Sequence, residues 1–191
     1  MGELQDYSGE FKPQIDLHDF SKDFLIRLMH AWSSAYLRID EIWNQAVVKH
    51  TGDAQLALNC ELDCWFNVAE RTVPRIAKAA NIEVKDIVDA MKVWQMCPDG
   101  TLAGVYEAEY DIKNRNHIVL TVTRCRTLEF LEKNAPERIR TVCHDIDIPM
   151  NEKYLTALVP NAEMKPLLLH DKPREKPNET PCIWELKLRG M

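Results

Sequence analysis

The sequence predicts an α+β protein in which an N-terminal helical layer packs on an antiparallel sheet of about four strands. Apolar residues recur at helical spacing through the first half of the chain, whereas the second half holds β-branched, partly alternating segments separated by turn residues. Because helices and strands are segregated in sequence, α+β fits better than alternating βαβ units. We expect an extended arm over 1–18 and one domain over 19–191, with a helical part at 19–97 and a sheet-containing part at 100–190.

The first helix begins after Asp19 or Ser21, since either side chain can accept a hydrogen bond from the backbone of the first turn. Its apolar residues recur every three or four positions as far as Val47. Gly52 ends it, because glycine readily adopts the left-handed conformation that terminates helices. The pair Ser33-Ser34 is a point at which this long segment can break.

Two further helices complete the helical part. Asp53 caps the second, and Pro74 is expected to kink or divide it because proline lacks a backbone N–H. The third, shorter helix covers about 84–94 and turns Ile87 and Met91 inward.

The periodicity then changes to that of strands. The expected strands are 104–112, 117–123, about 162–169 and 182–188. Asn114-Arg115-Asn116 is typical of a hairpin turn, and Pro166 indicates that the third strand lies at a sheet edge. Short helices fill 126–142 and 151–158. The segment 171–181, rich in proline and charge, is expected to be an exposed loop.

Composition excludes several classes of partner. Thirty acidic against 24 basic residues give a net charge of −6, and no basic stripe with interleaved aromatics occurs, so nucleic acid is not expected. No apolar run is long enough to span a membrane, and the first twelve residues lack the apolar segment of a secretory signal. We therefore expect a cytoplasmic protein whose six cysteines are thiols or metal ligands. The partners that remain are a small-molecule substrate or ligand and further copies of the same chain.

Thiol and imidazole side chains gather in the last third of the chain. They are Cys125, Cys143, His144, His170 and Cys182. Each lies at the end of a predicted element, where functional groups are often presented. Because zinc and iron prefer these ligands, the pattern predicts a zinc or iron ion. The gaps of 18, 26 and 12 residues fit no short zinc-finger pattern. The alternative is that the cysteines are simply buried as small apolar side chains.

Asp145 and Asp147 are the carboxylates nearest to this group in sequence. Either could act as a general base, or could orient a ligating histidine through its second ring nitrogen. The alternative is that both only form a turn or a helix cap ahead of Pro149.

A second group of candidates combines aromatic rings with two titratable side chains on the first two helices. Its members are His30, Trp32, Tyr36, Asp40, Trp43 and Trp65. Such a face could line an aromatic pocket for a small organic ligand, although aromatics at helical spacing are more often core. Asp40 is unusual because apolar residues flank it, so it either points to solvent or is held by a partner.

Two stretches, taken in order, resemble a known family. The first is Asp40–Val47 with Gly52 and Trp65, and the second comprises Cys125, Cys143, Val159–Asn161 and Pro181–Leu186. Over about 20–188 the chain resembles proteins grouped with the L-2-amino-thiazoline-4-carboxylic acid hydrolases. The C-terminal cysteine arrangement is similar to that of the 4-vinyl-reductase-type small-molecule-binding domain. The resemblance implies a helical half packed on a small α+β domain, a cysteine-containing site beside an apolar pocket, and hydrolytic opening of a thiazoline ring.

Three functional hypotheses follow. The first is a metal-assisted hydrolase of a small heterocyclic or amide-like substrate, in which the ion lowers the pKa of its bound water and Asp145 or Asp147 moves the proton. The second is a non-catalytic module that binds a small molecule or a metal, with a closed, structural four-ligand site. The third is a scaffold protein in which the cysteines are merely packed.

Overall fold

The computed structural model describes residues 3–190 and confirms the predicted α+β class. Its helices are α1 Lys22–Thr51, α2 Ala54–Arg71, α3 Val73–Ala79, α4 Ile87–Gln95, α5 Arg126–Asn134 and α6 Asp147–Leu158. Its strands are β1 Tyr106–Asn114, β2 His117–Cys125, β3 Ala162–Leu168 and β4 Cys182–Leu188. Leu17–Asp19 and Pro136–Arg138 form short 3-10 turns, and Thr141–Ile146 forms a π-helical turn.

The ends of α1 and α2 follow from local side-chain chemistry. Ser21 accepts a hydrogen bond from the first turn of α1, Gly52 ends that helix with φ of 71°, and Asp53 caps α2, so these predictions are confirmed. The predicted break at Ser33-Ser34 is wrong, because α1 continues unbroken to Thr51. The hydroxyl of Ser33 donates to the carbonyl of Pro98, which satisfies it without interrupting the helix.

The start of α4 is fixed by a cap that is also tied to the β1–β2 hairpin. Asp86 accepts a hydrogen bond from the backbone N–H of Asp89 at 3.0 Å, so the helix begins at Ile87, later than the sequence predicts. The guanidinium of Arg115, in the hairpin turn, binds Asp86 at 2.5 Å and Asp89 at 3.2 Å. The hairpin is thereby joined to the helical layer.

The four strands form one antiparallel sheet in the order β1-β2-β4-β3. Pro166 lies in the edge strand β3, as the sequence predicts. In the central strands Ile118 opposes Leu186 and Leu120 opposes Trp184, and all four side chains are buried. They form a core with α2, α3, α4 and α6, which cover this face of the sheet.

The helix α6 lies between α2 and the edge strand β3. Its Tyr154, almost fully buried, stacks on Trp94 of α4 with ring centroids 5.8 Å apart. These two rings join the two helices over the sheet. No helix within residues 3–190 is long and apolar enough to cross a membrane.

The predicted arm and the predicted exposed loop both contact the rest of the domain more closely than the sequence predicts. Leu4 forms a parallel bridge with Phe20, so the arm folds back onto the start of α1. In the loop 171–181 most side chains are exposed, but Arg174 is buried against Glu132 of α5. The loop therefore has a fixed anchor point.

Candidate functional site

A cavity of about 570 Å³ lies between the helices and the core face of the sheet, within the size range of small-molecule sites. Its apolar wall combines aliphatic side chains with aromatic and methionine side chains, which include Trp65, Trp94, Tyr106, Phe130, Met164 and Trp184. Its titratable wall comprises Arg38, Asp40, Glu41, Glu61, Asp99, Cys125, Arg126, Arg138, Asp147 and Cys182. The cavity therefore combines a surface for aromatic or aliphatic groups with several groups that can exchange protons.

Cys125 and Cys182 reach the cavity from the neighbouring strands β2 and β4. Cys182 opposes Val122, which also lines the cavity. Cys125 is three positions beyond Val122 and would face the other side of a regular strand. Thr123, however, has no partner on β1, and this β-bulge turns Cys125 back to the cavity side.

Both cavity thiols are held in the protonated form. Cys125 caps α5, and its Sγ accepts a hydrogen bond from the N–H of Leu128 at 3.4 Å. Burial nevertheless raises the pKa of Cys125 to about 11, although this hydrogen bond opposes the change. Burial, with Cys125 nearby, raises the pKa of Cys182 to about 12. Because the thiolate is the reactive form, both are weak nucleophiles at neutral pH.

The structure brings Cys143 into the same neighbourhood, behind the cavity wall. Cys143 lies on the π-helical turn and packs against the small apolar cluster that contains Leu128. Burial raises the pKa of its thiol, and the nearby Asp147, Cys125 and Cys182 add to this increase. A π-helical turn of this kind often marks a functional region.

The two predicted histidine ligands are engaged with backbone carbonyl groups. His144 Nε2 lies 3.2 Å from the carbonyl oxygen of His170, and His170 Nε2 lies 2.9 Å from that of Thr180. Within residues 3–190, no group of three or more His, Cys, Asp or Glu side chains is arranged to hold a metal ion. The side chains near the thiols therefore do not form a coordination shell in this arrangement, and the zinc or iron ion stays a prediction.

The two predicted acid–base residues are separated by the fold. Asp147, the first residue of α6, lines the cavity, whereas Asp145 is exposed and lies outside the cavity wall. Burial raises the pKa of Asp147 to about 7, and the charge of Asp99 contributes to this increase. At neutral pH Asp147 is therefore present in both its protonated and its ionised form.

Asp99 is a cavity residue that sequence reasoning missed. Burial raises its pKa to about 6, and neither its Oδ1 nor the hydroxyl of the neighbouring Tyr154 forms a hydrogen bond of normal geometry within the described chain. Gly100 follows it, and a Cβ there would lie only 2.4 Å from the carbonyl oxygen of Trp94. Nothing in the local sequence around Asp99 indicates that this acid faces the cavity.

A second acid pair, the half-buried Asp40 and the buried Glu61, lies in the wall between α1 and α2. Glu61 is only 2% exposed and accepts a hydrogen bond from the side-chain amide of Asn44 at 2.5 Å. Burial, followed by the charge of Asp40, raises the pKa of Glu61 to about 7, and Arg138 opposes this increase. Burial also raises the pKa of Asp40. Sequence reasoning identified Asp40 but missed its partner on the next helix.

The predicted aromatic face is divided between two surfaces. Asp40 and Trp65 line the cavity, and both also line an outer groove of about 230 Å³ between α1 and α2. Tyr36 and Trp43 line only this groove. The predicted residues therefore do not form one ligand pocket, because α1 turns only part of this face toward the cavity.

The other two members of that predicted group lie outside both surfaces. His30 Nε2 lies 3.3 Å from the carbonyl oxygen of Leu102, and its ring packs beside Gly104. Trp32 is 60% exposed on the outer side of α1. Neither side chain lines the cavity, so their predicted role in its substrate contacts is not supported.

No protein-family model matches this chain, and neither a curated protein nor a solved structure matches it. The resemblance to the thiazoline hydrolases therefore stays a prediction. The cavity and its titratable groups are the features from which a function can be inferred.

Proposed function

We propose that the cavity binds a small organic molecule and that Asp147 assists hydrolysis of a carbon–nitrogen or carbon–sulfur bond in it. The observation that carries this proposal is the position of Asp147, a half-buried carboxyl group with a raised pKa in the wall of a cavity of about 570 Å³ that several aromatic side chains line. Acids of this kind in a concave site are typical of catalytic groups.

The cavity wall favours a compact ligand with an unsaturated or aromatic part. Trp65, Trp94 and Trp184 supply flat apolar surfaces, against which a planar ring can stack. Arg38 and Arg126, both exposed, also line the cavity, and their guanidinium groups can donate hydrogen bonds to polar substituents of a ligand. A small heterocycle or an amide-like compound fits this combination.

The raised pKa of Asp147 suits it to transfer protons at neutral pH, because a group with a pKa near 7 both accepts and releases a proton readily. In the proposed reaction, the carboxylate takes one proton from a water molecule while the water oxygen bonds to the electrophilic carbon of the substrate. The bond from that carbon to nitrogen or sulfur then breaks, and the leaving atom receives the proton from Asp147. One water molecule is consumed, nothing is oxidised or reduced, and the carboxylate is restored.

Water, rather than a cysteine, is assigned as the nucleophile. The pKa values of Cys125 and Cys182, about 11 and about 12, leave both thiols almost wholly protonated at neutral pH. In the proposed reaction both thiols only form part of the cavity wall around the substrate. A serine at either position preserves the polar group and is expected to leave most of the activity.

A metal-assisted reaction is the second candidate, and the proximity of the three thiols favours it. Cys125, Cys143 and Cys182 would have to move closer together to hold a zinc or iron ion, because no three such side chains within residues 3–190 are arranged for one. A bound ion would lower the pKa of its water. Metal analysis of protein purified without an affinity metal tests this candidate. One ion per chain, lost in Cys182→Ser, would support it, whereas wild-type protein without metal would contradict it.

Turnover of thiazoline and amide test compounds is the experiment that tests the main proposal. We expect wild-type protein and Asp145→Asn to hydrolyse at least one compound that Asp147→Asn does not. The fluorescence of the cavity tryptophans reports binding separately from turnover. Binding without hydrolysis of any compound would favour the non-catalytic binding module, and loss of turnover in both variants would contradict the assignment of Asp147.

A further inference from the structure

The carboxyl groups in the cavity wall have no basic side chain to balance their charge. Asp40, Glu61, Asp99 and Asp147 line the cavity, and within residues 3–190 none of them forms an ion pair with a lysine, arginine or histidine. The pKa values of all four are raised, with burial as the largest cause. Because an ionised carboxyl group is costly to bury without an opposite charge, this wall favours a ligand that brings a positive charge.

Asp99 is the carboxyl group best placed to receive that charge. Its Oδ1 is buried and accepts no hydrogen bond of normal geometry within the described chain, and the hydroxyl of the neighbouring Tyr154 also has no such partner. Tyr154 is only 1% exposed. Buried polar atoms in native proteins are almost always hydrogen-bonded. Two such atoms side by side at a cavity wall are therefore available to a ligand that can donate hydrogen bonds.

The other three carboxyl groups are already engaged. Glu61 accepts a hydrogen bond from the side-chain amide of Asn44, and Asp40 lies within hydrogen-bonding reach of Glu61. Asp147 is the acid–base group of the proposed reaction. Burial and the charge of Asp99 together raise the pKa of Asp147, so a ligand nitrogen bound at Asp99 lies in the same part of the cavity as the proposed catalytic group.

Aromatic rings accompany Asp99 in the wall. It follows the end of α4, whose Trp94 lines the cavity and stacks on Tyr154 with ring centroids 5.8 Å apart. Tyr106 lines the same cavity. The faces of aromatic rings attract cations, so this combination of rings and a carboxyl group suits a protonated nitrogen on a flat, apolar molecule.

We propose that the substrate is a small planar organic cation whose protonated nitrogen donates a hydrogen bond to Asp99. This assignment rests on the proposed function, since it takes the cavity as the substrate site. The arginines in the wall do not reverse the preference for a cation. Arg38 and Arg126 are exposed, so water and salt screen their charges, and the charge of Arg138 acts on Glu61.

Three matched probes test the charge preference. Benzamidine, benzamide and benzoate share one aromatic ring and at neutral pH carry a positive charge, no charge and a negative charge. In isothermal titration calorimetry at pH 8, benzamidine should bind the wild-type chain at least about tenfold more tightly than either of the others, because hydrogen bonds between charged groups are about twice as strong as neutral ones.

A change at Asp99 tests the place of binding. Asp99→Asn should bind benzamide as the wild type does, and its preference for benzamidine should fall below about threefold. Asp145→Asn is the matched control, since it removes the same charge at an exposed position outside the cavity wall and should keep the full preference. Circular dichroism verifies that each variant folds.

The wild-type chain provides a test that needs no variant. Benzamidine stays positively charged between pH 5 and pH 8, whereas Asp99 and then Asp147 ionise, with pKa values of about 6 and about 7. Its affinity should therefore rise across this range, and the affinity for benzamide should stay constant.

Several results would overturn the assignment of Asp99. They are a wild-type chain that prefers benzamide or benzoate, one that binds none of the probes at millimolar concentration, and a preference for benzamidine that survives Asp99→Asn. The preference is measured without turnover, so its absence leaves Asp147-dependent hydrolysis standing. A preference lost in Asp99→Asn, in a chain that hydrolyses no test compound, would instead support the cation site and contradict the proposed hydrolysis.

Discussion

Arg174 and Glu132 form a two-pronged ion pair that attaches the loop between β3 and β4 to α5. The guanidinium Nε and Nη2 each lie 2.8 Å from a different carboxylate oxygen, and the backbone N–H of Arg174 donates to the same group at 3.0 Å. The two side chains are only 7% and 20% exposed. Because this loop leads into Cys182, the pair also holds the chain that delivers that thiol to the cavity.

We expect Glu132→Gln to lower the free energy of unfolding by about 2–4 kcal/mol, because the change leaves the charge of Arg174 buried without the opposite charge that balances it. Urea unfolding of the variant and of the wild type measures the difference. Arg124 and Glu129 provide a matched control, since they form the same two-pronged contact at 2.9 and 3.2 Å with both side chains much more exposed. Glu129→Gln should therefore cost less than about 1 kcal/mol. Equal losses in the two variants would show that burial is not what makes the Arg174 pair important.

The stability of the protein should fall as the pH rises from about 4 to about 8. Burial gives Asp147 and Asp99 pKa values of about 7 and about 6, above the ~3.9 of an unfolded aspartate. Between these values the folded chain binds protons that the unfolded chain has released, so their stabilising contribution is complete at low pH and is lost as the pH rises. The free energy of unfolding in urea should be larger at pH 5 than at pH 8.

Asp147→Asn tests the origin of that pH dependence. Asparagine does not titrate, so we expect the difference in unfolding free energy between pH 5 and pH 8 to shrink by on the order of 2 kcal/mol. Asp145→Asn, at an exposed position two residues away, should leave the difference unchanged. A pH dependence that persists in full in Asp147→Asn would contradict the buried, raised pKa of this group.

Hydrolysis should depend on the ionised form of Asp147. With a substrate that the wild-type protein hydrolyses, we expect kcat/KM to rise with pH through about 7, since the carboxylate is the base that accepts the proton of water. Asp147→Asn should lower kcat/KM by about 10²- to 10⁴-fold. A variant that keeps the wild-type pH profile would exclude Asp147 as the base, whatever its residual rate.

Arg115→Ala should lower the free energy of unfolding, because it removes the contacts between the hairpin turn and the two buried carboxylates at the start of α4. Thermal and urea unfolding measure this loss. Lys113→Ala is the control, since Lys113 pairs only with Asp111 and both side chains are about half exposed. That change should cost less than about 0.5 kcal/mol. A similar loss in both variants would indicate a general effect on the hairpin.

The sequence by itself determined the elements whose causes are local. Ser21, Gly52 and Asp53 mark helix ends because capping depends on a few adjacent residues. Pro166 indicated the edge strand because the missing N–H is a property of the residue itself. The order of helices before strands then followed from periodicity, and with it the α+β class.

Only the tertiary structure decided which side chains face the cavity. Asp147 lines it and Asp145 does not, although both belong to one short polar stretch. Cys125 faces the cavity because Thr123 has no partner on β1, and Asp99 faces it from a turn that packs against the end of α4. Each outcome depends on strand register and on contacts between segments far apart in sequence, where a shift of one residue reverses the direction of a side chain. Local sequence patterns do not predict those contacts, because the contacts form only when the helical layer packs on the sheet.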